Sequence, residues 1–211
     1  MLRLLALPLA LVVFHQYESS VRPLPEPLAR NLAKGESWRP GCPVPLRDLR
    51  LITVSHWDFE GRERQGQLVV HRDSAAKLTK VFRRLHQLEF PIRHMRLAEM
   101  YGPQRARPPD GDITGSFRCR RAVPSPCGSG SGNWSNHAYG LAIDINPVEN
   151  PYVGCGAVRD ARSRPYVART PLRKGMVTPA VVRAFRSIGW GWGGDWTGDT
   201  KDYMHFSITG G

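Results

Sequence analysis

Apolar residues recur at helical spacing over two stretches of the chain. Leu78, Val81, Phe82, Leu85 and Leu88 fall three or four residues apart, which predicts a helix over 74–88, capped by Asp73 or Ser74 and closed off before Pro91. Val181, Val182, Phe185 and Ile188 form a second stripe, and Thr178 followed by Pro179 is a helix start, so 179–188 is the second predicted helix. Short runs rich in β-branched and other apolar residues predict strands at 49–54, 67–70, 92–100, 141–145 and 204–208, with Gly61 in the turn region between the first two. Residues 104–111 read as a Pro- and Arg-rich loop, and 125–132 as a Gly/Ser loop. Strands and helices do not alternate regularly, so the expected class is α+β, a mainly antiparallel sheet with flanking helices.

The first residues break this pattern. Arg3 precedes an apolar run from Leu4 to Phe14, and polar His15, Gln16, Glu18 and Ser19 follow at once. Such a run suits a signal-peptide core and is well short of the roughly twenty residues of a membrane helix. Residues 1–20 are therefore expected to be an export signal or short N-terminal anchor, and any membrane contact to be made through them. Pro23, Pro25, Pro27, Pro40, Pro43 and Pro45 predict an extended, partly polyproline tether over 21–40, with the folded domain at 41–211. A chain of 211 residues accommodates one such domain with a proper core.

Charge and cysteines narrow the setting. Lys and Arg total 30 against 18 Asp and Glu, a net charge of +12 that favours an anionic partner, either nucleic acid or the anionic polymers of a bacterial wall. The arginines are scattered, and no helix-turn-helix, zinc-finger or stacked-aromatic signature accompanies them, which disfavours nucleic acid. Cys42, Cys119, Cys127 and Cys155 contain no C-x-x-C pair; in an exported chain an even count predicts disulfides, with three connectivities open and a loop closed by Cys119 and Cys127 the simplest.

Two stretches offer metal ligands: Ser135-Asn136-His137-Ala138-Tyr139-Gly140-Leu141-Ala142-Ile143-Asp144 and Asp202-Tyr203-Met204-His205-Phe206. In one straight strand His137 and Asp144 would face opposite ways; a turn at Gly140, or a helical segment, would bring them together. Ile143, Ile145 and Pro147 favour the turn followed by a strand. His15, His56, His71, His86 and His94 lack such a context and read as ordinary residues.

The pattern Ser135-x-His137-x-x-Gly140-x-Ala142-x-Asp144 with Asp202-x-x-His205 resembles the zinc D-alanyl-D-alanine carboxypeptidase and L-alanyl-D-glutamate endopeptidase family. Gly41-Cys42-Pro43, Phe117-x-Cys119-Arg120, Ile145-Asn146-Pro147, Asn150-Pro151-Tyr152 and Gly189-Trp190-x-Trp192-Gly193-Gly194 extend the resemblance in the same order. It implies a hedgehog/DD-peptidase-like fold and one zinc ion held by His137, Asp144 and His205. It also implies that Asp202 is the general base and that Arg118 or Arg120 steadies the polarised carbonyl; on one strand the two arginines share a face. Asp202 must then sit on a turn or bulge, since in a regular strand it would point away from His205.

Zinc chemistry of this kind lowers the pKa of bound water and polarises a carbonyl, while a carboxylate takes the water proton. Ser135 is expected beside the site as a hydrogen-bonding support for His137, and Trp192, with Trp190 and Trp196, to line the substrate cleft. The expected substrates are peptidoglycan stem peptides, met by a secreted or wall-associated enzyme. A zinc-containing wall-binding module without turnover is the alternative, against which the acid at Asp202 speaks.

Overall fold

A computed structural model describes residues 16–34, 37–97, 108, 110–122 and 132–210. The apolar leader, Cys127, the end of the expected strand at 98–100 and most of the two long loops lie outside the described residues. Among the described residues no helix is long and apolar enough to cross a membrane.

Three small antiparallel sheets of three strands each make up the β structure, in keeping with an α+β class. The first joins β1 (Ser19–Pro23), β2 (Leu49–Trp57) and β3 (Glu63–His71) in that order. β2 and β3 pair from Leu49↔His71 to Trp57↔Glu63 around a turn held by Asp58, whose carboxylate accepts from the backbone of Glu60 and Arg62. Alternation along these strands divides the apolar residues between two faces. Ile52, Val54, Leu68 and Val70 join the main core, and Leu49, Leu51 and Val69 a second, smaller one.

Helix α1 (Glu26–Lys34) covers the smaller core with Leu28 and Leu32, four residues apart. Helix α2 (Arg72–Gln87) covers the main core with Leu78, Val81, Phe82 and Leu85. Its cap is His71, whose side chain accepts from Asp73 N, two to three residues before the expected Asp73 or Ser74. Helix α3 (Pro179–Arg186) starts at Thr178, whose hydroxyl accepts from Val181 N, and buries Val181, Val182 and Phe185.

The stretch expected as an extended tether differs from that expectation. β1 pairs with β2 from Ser19↔Val54 to Pro23↔Arg50, and α1 is folded against the sheet. The prolines mark boundaries: Pro23 closes β1, and Pro27 lies in the first turn of α1, where a missing N–H costs no helical bond. The expected strand at 92–100 is likewise not a regular ladder. Its described part runs extended with single bonds, Ile92 N to Trp57 O and Gln67 N to Met95 O, and isolated bridges at Pro91 and His94. Cys119 pairs with Cys42 rather than with Cys127, tying segments 77 residues apart in sequence, and Cys155 is also disulfide-bonded.

The remaining sheets carry the chemistry-bearing residues. One orders β4 (Ala142–Asp144), β9 (His205–Ser207) and β7 (Gly191–Trp192); the other orders β6 (Ala157–Val158), β5 (Tyr152–Gly154) and β8 (Lys201–Asp202). Phe206 of β9 stacks on Phe185 of α3 with ring centroids 4.0 Å apart, so this sheet shares the main core.

A buried polar hub fixes the chain leaving β4. Asn146, at φ +43, donates to Pro91 O and Gly175 O and accepts from Arg93 N. Asn150 donates to Gly175 O and accepts from Val177 N and Arg169. Arg93 bridges the carboxylates of Asp112 and Glu149 at 3.0 and 2.7 Å. One guanidinium does not support two buried carboxylates in full. Burial, and the hydrogen bond with Glu149, push the Asp112 carboxyl up to about 8. A folded-state value above the unfolded one means that the Asp112 contribution is fully present below about pH 4 and is lost as pH rises toward 8. Melting temperatures measured from pH 4 to 8 should show this slope in the wild type and a flatter one in Asp112→Asn; equal slopes would show that the pair does not share a proton.

Candidate metal centre

His137 lies in a single turn of 3-10 helix, Asn136–Tyr139, capped by Ser135, whose hydroxyl accepts from His137 N at 3.3 Å. The turn ends at Gly140, at φ +67, and Gly140 O accepts from His71 N. A Cβ at Gly140 would come within 2.6 Å of His71 N, so only glycine permits this approach to the end of β3. The turn reverses the chain into β4, which brings Asp144 back to His137.

Asp144 is paired directly with His205 across the β4–β9 ladder and forms a backbone bridge with Gly115 on its other side. Opposed residues of an antiparallel pair project to the same face, so the carboxylate and imidazole meet without special side-chain geometry. Asp144 Oδ1 is 3.0 Å from His205 Nδ1, Asp144 Oδ2 is 3.2 Å from His137 Nε2, and the two imidazole nitrogens are 3.3 Å apart. Bonds of about 2.0–2.1 Å around a tetrahedral zinc place neighbouring ligand atoms about 3.3 Å apart, which the separation of the two imidazole nitrogens matches, and one oxygen of Asp144 lies within 4.8 Å of both.

The chemistry of the donors fits too. His137 Nδ1 is 2.7 Å from Ser116 O, which only accepts, so Nδ1 carries a proton and Nε2 is the nitrogen turned to Asp144 and His205. Burial works to raise the Asp144 carboxyl, but the two imidazoles more than reverse it and hold the group ionised, well below the usual carboxylate range. His137, Asp144 and His205 are the one group of three or more such ligands brought together among the described residues.

Asp202 ends β8, and a turn through Tyr203 and Met204 separates it from His205 in β9. Gly193 lets the preceding turn approach closely, since a Cβ there would lie 2.4 Å from Asp202 O. The Asp202 carboxyl shares a cleft of about 580 Å³ with Asp144 and His205. Its Oδ1 is buried without a hydrogen-bond partner among the described residues. Burial, then the charge of Asp144, push this carboxyl up to about 7 against the opposing pull of His205, Arg120 and Arg159. Asp195 is on the surface, paired with Arg186 at 2.7 Å, and Asp199 is exposed.

The structure sorts the other expected residues. Arg120 lines the cleft with Asp202 and His205 and also an adjoining hollow of about 290 Å³; Arg118 lines only the hollow and is exposed. Ser135 is buried at the cleft wall as the cap of His137. Trp192 does not line the cleft: its ring stacks toward Phe206 and its Nε1 donates to Tyr203 O, because it is the register partner of Phe206 across the β7–β9 ladder and shares that residue's core-facing side, opposite to His205. Trp196 takes that place, with its ring 6.1 Å from that of His205. Tyr152 and Arg159, which the sequence pattern did not single out for the site, also line it. Of the two only Tyr152 stood in a matched motif.

Residues 129–208 match the family model described as D-alanyl-D-alanine carboxypeptidase. The match bears out the resemblance carried by the motifs and spans the three clustered ligands and Asp202. No curated protein and no solved structure matched.

His137→Ala should leave Asp144 and His205 as the remaining pair and weaken metal binding at least tenfold, since too few bonds then hold the ion against water. Metal analysis after dialysis against a weak chelator checks this; full retention of one ion per chain would remove His137 from the ligand set.

Proposed function

We propose that the protein is a zinc-dependent peptidase that hydrolyses bacterial peptidoglycan stem peptides, at the D-alanyl-D-alanine bond or at the L-alanyl-D-glutamate bond. The observation that carries this reading is the cluster of His137, Asp144 and His205 with a buried, unpartnered carboxylate oxygen of Asp202 beside it. The match to a carboxypeptidase family supports the reaction class.

His137 Nε2, an Asp144 oxygen and His205 Nδ1 would hold one zinc ion, which when bound supplies Lewis acidity and acidifies a water molecule. Asp202 takes the proton of the attacking water and returns it to the departing amine. Arg120, on the cleft wall, offsets the charge that develops on the carbonyl oxygen. Ser116 O and the Ser135 hydroxyl keep the His137 ring and backbone in place during these steps. The acid at Asp202, buried in the cleft beside Asp144 and His205, speaks against a wall-binding module without turnover.

The same reading places the protein outside the cytoplasm, delivered by the apolar leader that precedes β1. The Cys42–Cys119 disulfide supports an oxidising compartment. The net charge of +12 suits anionic wall polymers around the substrate.

Mass analysis of purified muropeptides after incubation with the zinc-loaded protein tests the proposal. Loss of one D-alanine identifies a carboxypeptidase and a cut between L-alanine and D-glutamate an endopeptidase; intact muropeptides would defeat both. Asp202→Asn should keep its zinc and lose about 10²- to 10⁴-fold in kcat, because the near-isosteric amide does not accept the proton. Asp195→Asn and Asp199→Asn should stay near the wild-type rate, and a collapse in either would move the base away from Asp202.

A further inference from the structure

One cation in the cleft is not used by the mechanism above. Arg159 follows β6 directly, and its guanidinium lies over the ring of Tyr152, 5.2 Å from the centroid. Tyr152 is in turn the register partner of Asp202 across the β5–β8 ladder. The local fold therefore folds Arg159 back over β5 toward the carboxylate that faces the metal ligands. Arg159 lines the same cleft as Asp202 and His205, and its charge is felt at Asp202. No acidic residue among the described residues pairs with it, in contrast to Arg62, Arg64, Arg93, Arg162 and Arg186, which all have carboxylate partners. An arginine held on an aromatic face, with its fork of donors open to a cleft, is suited to a carboxylate brought by a ligand.

The two bonds considered for the substrate share one feature. In D-alanyl-D-alanine the residue on the leaving side is C-terminal, so its α-carboxylate is free. In the stem peptide D-glutamate is linked onward through its side chain, so the residue on the leaving side of the L-alanyl-D-glutamate bond also carries a free α-carboxylate. An ordinary internal peptide bond has an amide there. We propose that Arg159 is a specificity-determining residue that binds this free α-carboxylate, on the leaving side of the scissile bond. The inference rests on the peptidase reading for the identity of the substrate. Arg159 selects wall peptides over ordinary polypeptide, while Arg120 faces the reacting carbonyl.

The test uses the full-length, zinc-loaded protein and three synthetic peptides: the free stem pentapeptide, its C-terminal carboxamide, and the form with the D-glutamate α-carboxylate amidated. The wild type should prefer the free acid over whichever amide caps the leaving residue by about 10- to 100-fold in kcat/KM, the span of a charge-assisted pair. Arg159→Ala should lose that preference mainly through KM, with its zinc content retained, and Arg159→Lys should recover most of it. A preference that persists in Arg159→Ala, with cleavage intact, overturns the role of Arg159 and leaves the peptidase reading standing. If the wild type cleaves none of the three, calorimetric binding decides. Tighter binding of the free acid that Arg159→Ala abolishes keeps the anchor and removes the peptidase; equal binding of acid and amides by the wild type removes the anchor as well.

Discussion

The pairing of Asp144 with His205 across β4 and β9 is the interaction on which the rest of the site depends. It places a carboxylate and an imidazole on one face of a short ladder, 3.0 Å apart, and a third ligand needs only to arrive over them. That ladder is three residue pairs long and would not stand alone. Ile143 and Phe206, both fully buried, anchor it in the main core, where Phe206 stacks on Phe185 of α3. Around the pairing, each neighbouring segment has a defined attachment. Gly115 bridges Asp144, Ser116 O orients His137, and the Gly140 turn is hydrogen-bonded to the end of β3.

Such a centre is electrostatically unbalanced in favour of a cation. Two imidazole nitrogens 3.3 Å apart face one ionised carboxylate, and a second carboxylate lies buried nearby with an oxygen that nothing satisfies. Within the protein these groups do not complete one another, and a buried polar group left without a partner typically costs about 1–3 kcal/mol. One such group, Asp202 Oδ1, belongs to the cleft that Asp144 and His205 also line. A second polar cluster, Arg93 with Asp112 and Glu149, also leaves one buried carboxylate oxygen, Glu149 Oε2, without a partner, and it serves to hold Asn146 and the chain beyond β4.

Much of this architecture was legible locally. The stripes on α2 and α3 and the Thr178-Pro179 start carry their information within one or two turns, so their positions follow from residue spacing. The candidate metal group was legible for a different reason: His137, Asp144 and His205, with Gly140 and Asp202 between them, keep a spacing that resembles a known family, and the glycine turn explains how the first pair converges. The tether over 21–40 was misread because proline content reports where chain breaks fall. It does not report whether Leu28 and Leu32 find a sheet to cover. The described part of the 92–100 strand, 92–97, was misread for a related reason, since Ile92, Met95 and Leu97 are buried without a regular ladder to join.

The sequence by itself determined the class of fold, helices α2 and α3, the main hairpin and the residue types able to hold a metal. Only the tertiary structure decided that Cys119 meets Cys42, that Trp196 rather than Trp192 faces the cleft, and that Arg120 reaches it more fully than Arg118. It alone brought Arg159 over Tyr152 and so beside Asp202. Helical and strand periodicity act between residues close in the chain, where spacing fixes direction. Contacts between distant segments depend on which faces the packed sheets leave open, and no local pattern encodes that.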